Sequence, residues 1–61
     1  MIKAPRFLTE YSNYKIREIE NNTLMQQEYK TEKLYTITRA YHAFCYGHIT
    51  IDEAIRIINE A

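Results

Sequence analysis

Eight consecutive residues, Tyr46-Gly47-His48-Ile49-Thr50-Ile51-Asp52-Glu53, carry both a helix stop and a helix start. They commit the C-terminal half of the chain to a helical hairpin. Gly47 is the only glycine. It stands where a helix ending near Tyr46 needs a residue that enters the left-handed region without a Cβ clash. Three residues later the Thr50 hydroxyl is placed to accept from the Glu53 amide, and the Glu53 carboxylate to reach back to the Thr50 amide, as in a capping box. Asp52 and Glu53 add negative charge to the first turn, where the helix dipole favours it.

Beyond this start, Ile51, Ala54, Ile55, Ile58 and Ala61 recur at three- and four-residue spacing, with Ile57 at the edge of the stripe and Asp52, Arg56, Asn59 and Glu60 opposite. Before the stop, Leu34, Ile37, Tyr41 and Phe44 follow the same rule, flanked by Thr38 and Cys45. The two stripes are expected to face each other across a short antiparallel connection, with Ile49 packing over the closed end. Leu34-Tyr35-Thr36-Ile37-Thr38 also has strand propensity, but Tyr41 and Phe44 continue the helical period.

The first half is less regular. Pro5 predicts a short extended lead-in and a helix that starts near it or is capped by Thr9. Phe7, Leu8, Tyr11, Tyr14, Ile16 and Ile19 then supply the apolar positions to about Glu20, with Lys15 and Glu18 interrupting them. Asn21-Asn22 weakens helix propensity, and Thr23 with Gln26 offers a second capping box. The expected helices are about 6–20, 23–46 and 51–60 in one all-α, three-helix domain over residues 1–61. A break at Thr31, with a helix from Glu32, is the alternative start for the second. Its N-terminal extension has few apolar anchors: Leu24, Met25 and Tyr29.

A 61-residue chain makes one domain, and one this short buries only about 60% of its unfolded surface. Nine Ile, three Leu, two Phe and six Tyr must supply the core. The single cysteine excludes an intramolecular disulfide. Near the apolar stripe, Cys45 reads as a buried, inert thiol. His42 and His48 lack a third ligand at metal-site spacing, so no metal and no cofactor is expected.

The N-terminus carries no apolar run of about seven residues, and nothing approaches the ~20 apolar residues of a membrane span. The expectation is a cytoplasmic protein without a membrane role. Eight basic and eight acidic residues cancel, which removes the broad electrostatic footprint of a nucleic-acid binder. Richness in Ile, Asn, Tyr, Lys and Glu with no Val or Trp is what an A/T-biased coding sequence yields, and suggests a phage or mobile-element source.

Tyr35, Arg39, His42 and Tyr46 are spaced four, three and four residues apart and form a row opposite the apolar stripe. Tyrosine and arginine are enriched at interface hot spots because each combines contact area with hydrogen bonding. Left free, the row is the candidate partner-binding site for an unidentified protein, with His42 adding a charge that changes near neutral pH. Covered by the first helix or by a homodimer mate, it is ordinary core. The runner-up function is a small DNA-associated regulator with a helix-turn-helix-like element, using Lys30, Lys33 and Arg39, or Lys3, Arg6, Lys15 and Arg17, on phosphates. The acidic exposed face of the last helix weighs against it. An enzyme ranks lowest, since a chain this small has little room for a water-excluding pocket of roughly 300 Å³ or more.

An apolar helix, then Gly-x-Ile-Thr-x-x-Glu at Gly47–Glu53, then a second apolar helix resembles the short hairpins of SHOCT-type domains over about residues 34 to 60. The resemblance implies a helical hairpin and carries no functional residue onto this chain.

Overall fold

The computed structural model describes residues 1–61, which form α1 (Arg6–Glu20), α2 (Gln27–Cys45) and α3 (Ile51–Glu60) with no strand. The fold is a small all-α domain of about 35 × 18 × 17 Å. Helices α2 and α3 make the antiparallel hairpin, and α1 packs mainly on α2.

The hairpin corner follows from its capping residues. Gly47 takes φ +78°, the only positive φ in the chain. His48 N donates to Ala43 O and Gly47 N to Phe44 O, each at 2.9 Å. That pair of bonds is the Schellman closure, and it satisfies carbonyls the end of α2 leaves open. At the start of α3, Glu53 N donates to Thr50 Oγ1 at 3.2 Å. The expected return bond is different. Glu53 Oε1 accepts from the Thr50 hydroxyl at 3.3 Å rather than from its amide, so one side chain serves as both donor and acceptor.

Elsewhere the local signals are overruled. Helix α2 starts at Gln27, neither near residue 23 nor at Glu32. Thr23 and Gln26 make no capping box, and Gln26 is the N-cap without a side-chain bond. Instead the Asn22 side chain accepts from Leu24 N at 2.9 Å. This local turn competes with helix, as asparagine side chains do. Residues 21–26 are thus a connection rather than an extension of α2, with Lys30 Nζ reaching back to Glu20 O at 3.1 Å. Thr9 does not cap α1. Pro5 precedes the helix, and its carbonyl accepts from Leu8 and Thr9 amides at 3.0 and 3.3 Å.

The lead-in is extended and anchored, with Ile2 N donating to Cys45 O at 2.6 Å. The core contains one fully enclosed large side chain from each helix: Leu8, Ile37 and Ile58. Each contributes roughly 1.5–3 kcal/mol on burial. Ile19 and Ala40 complete the cluster, and Ala54 and Cys45 are also buried. Tyr41, Leu34, Phe44, Ile51 and Ile55 pack around it, half-buried.

Besides the Lys30 bond to Glu20 O, two contacts between side chains tie α1 to the hairpin. The hydroxyls of Thr9 and Tyr41 lie 2.8 Å apart, and Tyr11 donates to Asn59 Oδ1 at 2.7 Å. Not every expected apolar position turns inward. Phe7, Tyr14, Leu24 and Tyr29 are exposed; the narrow hairpin covers only one side of α1, and Leu24 belongs to the connection.

Candidate partner-binding face

Helix α2 presents two opposed sides because 3.6 residues make a turn. Ile37 and Ala40 point into the core, so Tyr35, Arg39, His42 and Tyr46 point away, and all four are exposed. Tyr35 and Tyr46 retain 64% and 63% of their accessible surface. Neither α1 nor α3 covers the row. A phenol normally keeps such exposure at the surface only at some hydrophobic cost, because its ring area remains in water.

The row borders a groove of about 490 Å³ between α2 and the hairpin corner. Tyr35, Arg39 and Ala43 form one wall, while His48, Ile49 and Ile57 form the other. A second groove of about 300 Å³ continues it toward the start of α2, between Tyr29, Lys33 and Glu60. The two share Thr36 and Ile57, so they run as one trough along the outer junction of α2 and α3. Lys33 Nζ sits 4.8 Å from the Tyr29 ring centroid in this stretch, a cation–π distance.

The grooves bring together only part of the row. Tyr35 and Arg39 line the larger one, whereas His42 and Tyr46 stand outside it. His42 meets the Tyr41 ring edge-on at 6.0 Å between centroids. Tyr46 lies 6.1 Å from the His48 ring, tilted by 30°. His48, Ile49 and Ile57 are contributors that the helical row alone does not identify. The sequence hint is Ile57, an isoleucine at the edge of a stripe already filled by Ile55 and Ile58.

The charges of this face are unspent. The chain has one ion pair, Arg6–Glu10 at 2.9 Å on the exposed side of α1, so Arg39 has no carboxylate partner. No carboxylate lines the larger groove, which leaves its rim cationic. No three His, Cys, Asp or Glu side chains converge in the molecule.

A third hollow, of about 200 Å³, lies between α1 and α2 beside Ser12, Ile37 and Tyr41. The Ser12 hydroxyl is buried without a hydrogen-bond partner. No helix is long and apolar enough to cross a membrane. No protein-family model matches the chain, and no curated protein or solved structure matches it either.

Proposed function

We propose that this chain is a small non-enzymatic interaction protein of the cytoplasm, an accessory regulator or inhibitor that acts by binding a protein partner through the outer face of α2. The observation that carries this reading is the row itself. Tyr35, Arg39, His42 and Tyr46 stay exposed on a helix whose other side packs on the core through Ile37 and Ala40. A helix held in this way presents its side chains at fixed spacing, so binding loses little ordering entropy. Tyr35 and Arg39 supply area and a forked donor, and the groove they line adds the apolar side chains of Ala43, Ile49 and Ile57.

The test is affinity capture from the native host with wild type and with Tyr35→Ala plus Arg39→Ala, each checked by circular dichroism. Loss of a specific bound protein with helicity retained supports the reading. Equal capture by both proteins disposes of it.

A DNA-associated role has one observation in its favour, the Gly47 turn that joins two helices as in a helix-turn-helix. The second helix exposes Asp52, Glu53 and Glu60, and these repel phosphates. A gel shift repeated at rising salt separates the two, since phosphate binding weakens steeply with salt.

A further inference from the structure

We propose that the occupant of the α2 face is a second copy of this chain, docked antiparallel about a twofold axis that passes between Tyr35 and Thr36. This rests on the partner-binding reading of the row and names the partner. The row extends further toward the start of α2 than its four residues. Glu28, Glu32, Tyr35, Arg39, His42 and Tyr46 are all exposed, and successive members are four, three, four, three and four residues apart. That alternation traces a straight seam along a helix, the spacing by which helices pair lengthwise.

The seam is electrically divided. Glu28 and Glu32 occupy the half toward the start of α2, whereas Arg39 and His42 occupy the half toward its end. None of Glu28, Glu32 and Arg39 has an ion-pair partner within the chain. A parallel pair of such helices sets like charges side by side, which is destabilising. An antiparallel pair does the reverse. With the axis between Tyr35 and Thr36, Arg39 of each copy lies level with Glu32 of the other. His42 falls within one residue of the level of Glu28, and the two Tyr35 rings flank the axis. Two antiparallel helices also oppose their macrodipoles favourably. A twofold interface needs a surface that complements itself, and this face meets that condition.

Surface area points the same way. A folded monomer of this mass exposes about 4200 Å² on the empirical scaling of area with mass. This chain exposes 4682 Å², roughly a tenth more, and Tyr35 and Tyr46 of the seam are among its exposed large side chains. Pairing along the seam returns exposed phenol rings to a protein contact. The zero formal net charge adds no long-range repulsion between copies.

The test is sedimentation equilibrium of the full chain from about 1 µM to about 1 mM, a range that covers ordinary dimer affinities. Wild type is expected to pass from monomer to dimer. Arg39→Glu and Glu32→Arg each set like charges opposite each other twice per dimer, and each is expected to raise the dissociation constant at least about tenfold. Mixed in equal amounts, the two variants become complementary at both crossings and are expected to recover the dimer. A wild type that stays monomeric throughout overturns the pairing, as does a mixture no heavier than either variant alone. Circular dichroism of each variant guards against loss of fold. If self-pairing fails while Arg39→Glu abolishes capture of a different host protein, the docking reading stands and only the second copy is lost. If capture is also unchanged, both fall.

Discussion

Replacing Ile37 by alanine probes the arrangement from the inside. Ile37 is fully enclosed at the middle of α2, in one cluster with Leu8 of α1 and Ile58 of α3. The change removes three carbons, about 2.4 kcal/mol at ~0.8 kcal/mol per buried methylene, and the unfilled space raises the loss toward 3–4 kcal/mol. Total stability for a chain of this length is about 3–9 kcal/mol. The variant should therefore lose a large share of it. Urea unfolding followed by far-UV circular dichroism measures the change, with Tyr35→Ala, two positions along and exposed, as the control. Protein concentration is kept low so that association does not contribute. The control should move stability by no more than about 0.5 kcal/mol. Should Ile37→Ala fail to fold, Ile37→Val gives a reduced loss of about 0.5–1.5 kcal/mol. An Ile37→Ala variant as stable as wild type, or a control that loses more, refutes the assignment of the inner and outer sides of α2.

Ser12→Ala is expected to stabilise by about 1 kcal/mol, because it removes a buried hydroxyl without a partner and adds helix propensity; a loss of that size in urea unfolding reveals a bond the hydroxyl makes. Gly47→Ala should cost about 1–2 kcal/mol through its left-handed backbone alone. Its Cβ meets only Ile2 Cδ1, at an ordinary 3.6 Å, so shortening the Ile2 side chain should not rescue the thermal midpoint. The nearby Glu18 carboxylate holds the Tyr14 phenol above its ordinary value, first by favouring the protonated hydroxyl as a hydrogen-bond donor and then by repelling a phenolate. Its folded pKa lies above the unfolded one, so whatever stability the contact gives is present below the unfolded pKa and disappears as pH rises through the folded value. Ultraviolet titration of Glu18→Gln should bring one tyrosine down; an unchanged curve removes the contact.

The hairpin was readable because its instructions are local. Gly47 and Thr50 act on backbone groups within five residues of themselves, so capping physics specifies the corner before any tertiary contact forms. The start of α2 was not readable in this way. Thr23 and Gln26 have capping chemistry, yet Asn22 offers the same stretch a competing turn, and only the energy of the assembled chain decides between them. The outward turn of Phe7 and Tyr14 depends on how narrowly the hairpin covers α1, which no spacing within α1 encodes. The candidate face divides along the same line. Its row on α2 follows from helical periodicity, whereas His48, Ile49 and Ile57 join it only when the corner and α3 fold back alongside.

The bond from Ile2 N to Cys45 O runs from the lead-in, past α1 and the whole of α2, to the last residue of α2. The residues ahead of Pro5 thus act as a clasp across the corner that Gly47 turns, and Ile2 Cδ1 rests against that glycine's open side. Such a closure brings distant parts of the chain together, so it gains little until the helices have docked. Amide exchange at Ile2 should therefore report completion of the tertiary assembly, and a bulky fusion at this end should loosen the corner before it disturbs any helix.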